Sequence, residues 1–158
     1  MESGRNVYAA ILAGGSGTRM GNPEKPKQFL MLGSKPIIAH TVEKFCAEGV
    51  FERVLVLCPE SWIQKTQDLL RRYCPDCCQD VAVIAGGSTR NDTVRNAISY
   101  LCENHAVDDG SIIVTHDAVR PFVSHRIIEE NIQAAIDCGA CDTVVPATDT
   151  IVQSADGK

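Results

Sequence analysis

The sequence predicts a three-layer α/β fold built on a mainly parallel sheet. Two kinds of segment alternate along its 158 residues: short apolar runs rich in β-branched residues, and longer stretches with apolar residues at helical spacing. The apolar runs are continuous rather than alternating, which is typical of strands covered on both faces. Strict alternation of strand and helix favours crossover connections and parallel pairing. With 44% apolar residues, the chain suits one domain with a substantial core.

Each apolar run is assigned to a strand and each periodic stretch to a helix. The predicted strands are residues 6–12, 53–58, 81–85, 111–115 and 142–146. The first helix is predicted over 37–46, with Pro36 near its start. Three further helices are indicated by the apolar stripes Trp62, Thr66, Leu69, Leu70 and Tyr73, then Val94, Ala97, Ile98 and Leu101, then Ile128, Ile132, Ala135 and Ile136, the last with Ser124 as N-cap. Ligands of such sheets bind at the carboxyl ends of the strands, so the loops there are expected to carry the function.

The loop after the first strand has the composition of an anion-binding site. It runs Gly14-Gly15-Ser16-Gly17-Thr18-Arg19, and Lys25 and Lys27 follow. Glycines allow positive φ and leave N–H groups free to converge on an anion, and the basic side chains can neutralise phosphate charge. It is neither a Walker A loop, since no Gly-Lys-Ser/Thr ends it, nor a complete dinucleotide-binding fingerprint. A glycine-rich turn with solvated basic residues is the alternative left open.

The loop after the third strand is suited to a nucleotide base. Gly86 and Gly87 let a flat ring approach the backbone, Ser88 and Thr93 can hydrogen-bond its edge, and Arg90 can hold the loop or a carbonyl oxygen. The alternative is a simple turn that caps the following helix.

Charged residues follow the fourth and fifth strands. Asp117 can bind Mg²⁺ or substrate hydroxyls, and Arg120 can bind a phosphate. Neighbouring strand residues point in opposite directions, so His116 is predicted to be structural. Thr148-Asp149-Thr150 is either a polar loop or a further ligand contact.

Composition bears on partners and compartment. The net charge of −5 gives no reason to bind nucleic acid or an anionic membrane, and the N-terminal apolar run is too short to span one. The eight cysteines include two C-x-x-C pairs, Cys74–Cys77 and Cys138–Cys141, which lie too far apart for a zinc ribbon. We expect a cytoplasmic protein with free thiols and no nucleic-acid or membrane partner.

Five motifs together resemble the cytidylyltransferases that act on polyol phosphates. They are Leu12-Ala-Gly-Gly-Ser-Gly-Thr-Arg-Met20, Pro26-Lys-Gln28, Gly86-Gly-x-x-Arg90, His116-Asp-Ala-x-Arg-Pro121 and Asp149-Thr150. This family includes enzymes for 2-C-methyl-D-erythritol 4-phosphate, in isoprenoid synthesis, and for D-ribitol 5-phosphate, in teichoic acid synthesis. Val119, Phe122 and residues 141–152 look more like the ribitol branch.

The resemblance implies a fold, a reaction and site residues. The fold is a Rossmann-like three-layer sandwich of the nucleotidyltransferase (nucleotide-diphospho-sugar transferase) type. The reaction is transfer from CTP with release of pyrophosphate, with Mg²⁺ held largely by phosphate oxygens. Arg19 and Lys27 would be catalytic, stabilising charge at the α-phosphate. The implied nucleotide-binding residues are Ala13, Gly14, Gly15, Gly17, Thr18, Gly87, Ser88, Arg90, Thr93 and Ala118. The implied substrate-binding residues are Asp117, Arg120 and Thr150.

The resemblance also implies what this chain would lack. Family members continue beyond it with an arm that exchanges across a homodimer, further basic contacts and a closing helix. Residues 1–158 are therefore expected to form a single nucleotide-binding and catalytic domain, truncated before the dimerisation arm. A catalytically incompetent CTP-binding module is the main alternative. An NAD-dependent oxidoreductase is disfavoured by the broken fingerprint.

Overall fold

The structure is a computed structural model that describes residues 4–15 and 26–148. Its strands are β1 (Val7–Leu12), β2 (Met31–Leu32), β3 (Lys35–Pro36), β4 (Arg53–Cys58), β5 (Val81–Ala85) and β6 (Ile112–Asp117). Its helices are α1 (Ile37–Cys46), α2 (Ile63–Tyr73), α3 (Arg90–Asn104) and α4 (His125–Cys138). Lys27–Phe29 and Glu60–Trp62 form 3₁₀ turns. The first four predicted strands and the four predicted helices are confirmed, with small shifts at their ends.

The main sheet is parallel and has the strand order β5-β4-β1-β6, while β2 and β3 form a small antiparallel pair. The chain moves outward from β1 to β4 and β5, then crosses to the other side of β1 to form β6. The strand order therefore reverses between β1 and β6. Such a reversal opens a crevice at the carboxyl ends of the two strands, which is where ligands of doubly wound sheets bind.

The core lies on both faces of the sheet. On one face, Val7, Ala9 and Ile11 of β1 belong to a cluster with buried residues of α1, α2 and α4. On the other face, Tyr8 and Ala10 belong to a smaller cluster that includes Ala97 and Leu101 of α3. Because alternate residues of a strand point to opposite faces, this continuous apolar strand fits between two helical layers. The predicted three-layer α/β fold with a mainly parallel sheet is confirmed.

Local signals define the helix ends near the site. Ser124 caps α4, since its Oγ accepts a hydrogen bond from the Ile127 N–H (3.3 Å). The helix ends at Gly139, whose φ of 84° suits glycine. In α3 the buried residues are Thr93, Ala97 and Leu101, whereas Ile98 is 44% exposed. The predicted stripe of α3 was therefore wrong at Ile98.

The predicted fifth strand at 142–146 is wrong. Residues 140–148 have no regular structure, and Val144 and Val145 are 79% and 84% exposed. A groove of about 930 Å³ lies between β6 on one side and residues 139–143 on the other. An apolar run becomes a strand only when its backbone groups find a neighbouring strand to pair with, and across this groove they do not reach β6.

In the described ranges, no helix is long and apolar enough to cross a membrane. All eight cysteines fall within these ranges, and they are unbridged. The same ranges contain no group of three or more histidine, cysteine, aspartate or glutamate side chains that could hold a metal ion.

Candidate active site

Three loop starts meet at the carboxyl edge of the sheet. Backbone hydrogen bonds continue the strand ladder by one residue: Ala13 N–H donates to the Leu57 carbonyl (2.7 Å), Gly86 N–H to Cys58 (2.8 Å) and Ala118 N–H to Leu12 (3.0 Å). The glycine loop, the loop before α3 and the turn after β6 therefore leave the sheet from one edge. This is the arrangement that the sequence predicted.

The described part of the glycine loop leaves its backbone open. A Cβ added at Gly14 or Gly15 would meet nothing within 4 Å, and neither residue has a positive φ. The positive φ that glycine allows is therefore not used at these two positions. Because these glycines have no side chain, a ligand can approach their backbone without obstruction. Gly17, Thr18 and Arg19 lie outside the described residues.

The glutamine of the Pro-Lys-Gln motif is hydrogen-bonded to the glycine loop. Gln28 is 2% exposed, and its Nε2 donates to the carbonyl oxygens of Ala13 (2.6 Å) and Gly15 (3.3 Å). Lys27, one residue earlier, is exposed. Phe29, one residue later, is buried and stacks on Trp62 with ring centroids 4.5 Å apart. The lysine is therefore presented to solvent from a turn whose next two residues are buried.

The loop before α3 is a capping box. Thr89 Oγ1 accepts from the Asp92 N–H (3.1 Å), and the Asp92 carboxylate accepts from the Thr89 N–H (3.2 Å) and from the Ser88 hydroxyl (2.8 Å). These hydrogen bonds lower the pKa of Asp92, and the bond from Thr89 has a larger effect than the bond from Ser88. The capping alternative for this loop is thus confirmed, and base recognition at the same residues stays a prediction.

Two residues set the close approach of this loop to α3. A Cβ at Gly87 would lie 2.3 Å from Asp92 Cβ and 2.8 Å from the Thr93 nitrogen, so only glycine fits. Like Gly86, it has no positive φ. Thr93 is 5% exposed, and its Oγ1 accepts from the Gly87 N–H (3.0 Å) and donates to the Thr89 carbonyl (2.8 Å). The predicted base-edge contact of Thr93 would have to compete with these two bonds.

Asp117 joins two arginines at the end of β6. One carboxylate oxygen accepts from Arg90 Nη1 (2.6 Å) and the other from Arg120 Nε (2.8 Å). Partial burial alone would raise the pKa of this carboxyl, but the hydrogen bonds and charges of Arg90 and Arg120 outweigh it and hold the pKa below its usual value. Because the arginine side chains are 60% and 72% exposed, they can present further N–H donors to an anion.

The turn after β6 is fixed by side chains on both sides. His116 Nε2–H donates to the Arg120 carbonyl (3.0 Å), and the His116 ring lies 5.1 Å from that of Phe45. Fully buried Thr41 donates to the Ala118 carbonyl (2.9 Å). The structural role predicted for His116 agrees with these contacts. Thr41 was missed, because nothing in its local sequence marks the contact.

The described residues do not fit a protein-bound Mg²⁺. Both oxygens of Asp117 are engaged by guanidinium groups, so this carboxylate is surrounded by positive charge instead of being open to a cation. Arg90, Asp117 and Arg120 line one end of the groove beside β6. Thr150 lies outside the described residues.

The fold and this edge define a nucleotidyltransferase-type α/β protein. Residues 7–158 match the sequence model of the IspD family, described as 2-C-methyl-D-erythritol 4-phosphate cytidylyltransferase, and the chain belongs to this family. The resemblance to the cytidylyltransferases of polyol phosphates is thereby confirmed.

Relatives and solved structures agree with this assignment. The chain is 50% identical over 152 residues to a ribitol-5-phosphate cytidylyltransferase of Lactiplantibacillus plantarum, covering 96% of this chain and 64% of that relative. It therefore spans about two thirds of that relative's length. A 4-diphosphocytidyl-2C-methyl-D-erythritol synthase structure aligns with a TM-score of 0.71 and 25% identity over 98% of this chain and 66% of its own. The corresponding synthase of Anaerococcus prevotii aligns with a TM-score of 0.63 and 22% identity over 84% of this chain and 52% of its own, which supports the fold alone.

Proposed function

We propose that the protein transfers a cytidylyl group from CTP to a polyol phosphate, with D-ribitol 5-phosphate as the favoured acceptor. The single observation that carries the proposal is the pair of exposed arginines held by Asp117 at the sheet edge where the glycine loop begins. Two anionic reactants need positive charge on both sides of the reacting phosphorus. The 50% identical relative, a ribitol-5-phosphate cytidylyltransferase, favours that acceptor.

In the proposed reaction an oxygen of the polyol phosphate attacks the α-phosphorus of CTP. A new P–O bond forms, the bond from the α-phosphorus to the bridging oxygen breaks, and pyrophosphate leaves with the electron pair. The attacking phosphate is already ionised, so no general base is required. The work of the protein is to align the reactants and to offset their charges.

We assign the site residues to three groups under this proposal. Arg19 and Lys27 stabilise charge at the α-phosphate, and Asp117, Arg120 and Thr150 bind the acceptor, with Asp117 also orienting Arg120. The residues assigned to the nucleotide are Ala13, Gly14, Gly15, Gly17, Thr18, Gly87, Ser88, Arg90, Thr93 and Ala118. We expect Mg²⁺ to enter with CTP on its phosphate oxygens, since the described side chains do not fit it.

The proposal extends to the setting of the protein. We propose that residues 1–158 form one nucleotide-binding and catalytic domain of a cytoplasmic homodimer, without nucleic-acid or membrane partners. With ribitol 5-phosphate as acceptor, the product would serve teichoic acid synthesis.

Two alternatives have specific support. The acceptor would be 2-C-methyl-D-erythritol 4-phosphate, for isoprenoid synthesis, if the chain followed the family description and the synthase structures. The second alternative is a CTP-binding module without catalysis. It is considered because the chain spans 64% of the length of the ribitol-5-phosphate cytidylyltransferase that it matches.

A pyrophosphate-release assay tests the proposal. The full-length protein is assayed with each of the four nucleoside triphosphates and with ribitol 5-phosphate or methylerythritol 4-phosphate as acceptor. We expect the highest kcat/KM with CTP and ribitol 5-phosphate. A preference for methylerythritol 4-phosphate would select the first alternative, and CTP binding by calorimetry without pyrophosphate release would select the second.

A further inference from the structure

Gln28 has a buried carboxamide to which the reaction above gives no role. The side chain is 2% exposed, and within the described part of the chain its amide nitrogen donates to two carbonyl oxygens of the glycine loop, those of Ala13 (2.6 Å) and Gly15 (3.3 Å). Burying an amide is unfavourable unless its donors find acceptors. A primary amide has two N–H donors, and here two carbonyl oxygens receive them.

These bonds link the glycine loop to the turn that carries Lys27. On the loop side, the Ala13 N–H is held by the Leu57 carbonyl of β4 (2.7 Å). On the other side, the 3₁₀ turn is closed by a bond from the Phe29 N–H to the Pro26 carbonyl (3.0 Å). Gln28 is therefore a side-chain connection between a backbone segment fixed to the sheet and a turn fixed by its own hydrogen bonds.

An apolar side chain would fill the same buried space without fixing this distance. Packing of hydrocarbon is non-directional, whereas two N–H···O bonds from one planar amide define both separation and orientation. The amide thus sets where the exposed Lys27 stands relative to the open backbone of Gly14 and Gly15.

We propose that Gln28 is a positioning residue for cytidylyl transfer, acting through Lys27 by fixing it against the glycine loop. This inference rests on the proposed function. Gln28 touches no reacting atom in the proposal, so its effect requires Lys27 to be present. A displacement of about 1 Å of a catalytic group can lower a rate about a hundredfold, so the expected effect is measurable.

A double-mutant cycle in the full-length protein distinguishes the positioning of Lys27 from a general loss of structure. The variants are Gln28→Met, Lys27→Ala and the double variant, assayed for pyrophosphate release with CTP and ribitol 5-phosphate or methylerythritol 4-phosphate. We expect Gln28→Met to lower kcat about 10- to 100-fold, with a much smaller change in the KM for CTP. In the Lys27→Ala background the same change should cost less than about threefold, because coupled residues are not additive.

Two controls match the substitution and its effect on stability. Gln133→Met makes the same replacement on the exposed face of α4, where the glutamine amide donates to Asp137 one turn along the same helix. Ile132→Val removes one methylene from a buried position in the same helix. Both should leave kcat within about twofold, even where thermal unfolding shifts as much as in Gln28→Met.

Gln28→Glu gives a second test that does not depend on tolerance of methionine. An ionised carboxylate is only an acceptor and would repel the two carbonyl oxygens, whereas the protonated acid regains one donor. Burial beside carbonyl oxygens favours the protonated acid. The kcat of this variant relative to wild type should therefore rise as pH falls.

The outcomes distinguish the two proposals. Equal losses from Gln28→Met with and without Lys27, or a flat relative pH profile for Gln28→Glu, would overturn the role of Gln28 and leave the proposed function standing. A wild-type protein that releases no pyrophosphate from CTP with either polyol phosphate would overturn the proposed function, and the catalytic role of Gln28 with it.

Discussion

Arg90 and Asp117 connect the two outer strands of the main sheet through a 2.6 Å hydrogen bond between Nη1 and a carboxylate oxygen. Arg90 begins α3, shortly after β5, and Asp117 ends β6, while β4 and β1 lie between those strands. The pair therefore links the carboxyl ends of the two outer strands, and β1, from which the glycine loop departs, lies between them in the sheet. In the proposed function it links a nucleotide-binding loop to the acceptor side of the site.

Removing the charge of Asp117 should disturb both arginines. In Asp117→Asn the amide oxygen can still accept from one guanidinium, but the ionised acceptor for the other is lost. We expect kcat/KM for the polyol phosphate to fall about 10- to 100-fold, or about 1.5–3 kcal/mol, as for other hydrogen bonds to charged groups. Because the arginines are largely exposed, the free energy of unfolding should fall by only about 1 kcal/mol or less. Steady-state kinetics and chemical denaturation measure the two effects.

A surface pair provides the control for this variant. Asp68 accepts from Arg71 on α2 (2.8 Å), and both side chains are about 60% exposed. Asp68→Asn should leave kcat/KM unchanged. Loss of activity in Asp68→Asn equal to that in Asp117→Asn would show that the effect is not specific to the site.

The same carboxylate predicts a pH dependence of stability. The pKa of Asp117 is lowered from its usual 3.8 because the charges and hydrogen bonds of the arginines outweigh burial. A depressed pKa in the folded state contributes stability that is present above the unfolded pKa and is lost as pH falls through the folded pKa. The difference in melting temperature between wild type and Asp117→Asn should be constant from about pH 7 to 5 and shrink below about pH 4. A difference that grows on acidification would contradict the assignment.

The sequence was most informative where local pattern determines structure. Continuous apolar runs such as Val7–Leu12 identified strands that lie between two helical layers. Every residue of such a run is apolar because both faces of the strand are buried. The strand predicted at 142–146 failed because pairing is not local. Its valines have the right propensity, but the groove beside β6 separates them from a partner.

The site was only partly predictable for a similar reason. Composition predicted the loops that meet at the sheet edge, but not the contacts that fix them. Gln28 reaches back to Ala13 and Thr41 reaches Ala118, 77 residues away in the chain. A buried polar residue looks the same in sequence whether it caps, packs or holds a distant carbonyl. Thr93 illustrates this, since its buried hydroxyl supports the loop before α3.

Gly87 should not tolerate a side chain. In Gly87→Ala the new Cβ would lie 2.3–2.8 Å from Asp92 and Thr93, including backbone atoms that cannot move aside cheaply. We expect a loss of about 1–3 kcal/mol in the free energy of unfolding, as for overpacked cores. Calorimetric titration should also show weaker CTP binding. Gly110→Ala is the matched control, because its nearest contact would be 3.5 Å away. Equal stability of the two variants would contradict the prediction.

At Thr93 the contribution of the hydroxyl to stability and binding can be measured separately from that of the methyl group. Thr93→Val removes the bonds to the Gly87 N–H and the Thr89 carbonyl while keeping the shape. It should destabilise the protein by about 1–3 kcal/mol, since the half-buried Gly87 N–H loses its acceptor. Thr93→Ser keeps the hydroxyl and should retain most of the CTP affinity. Thermal unfolding and calorimetry of the three proteins test this, and a serine variant as impaired as the valine variant would argue for packing instead.

Lys27 provides the most direct test of the proposed chemistry. It is exposed beside the glycine loop, on a turn whose next two residues are buried. If its charge acts on the α-phosphate as bonds form and break, Lys27→Ala should lower kcat about 100- to 1,000-fold, as for the loss of other preorganised donors, with little effect on stability. Arg71→Ala, which removes an exposed positive charge from the last turn of α2, is the control. If Lys27→Ala raised only the KM for CTP and kept the wild-type kcat, Lys27 would bind the ground state and the transition-state role would be wrong.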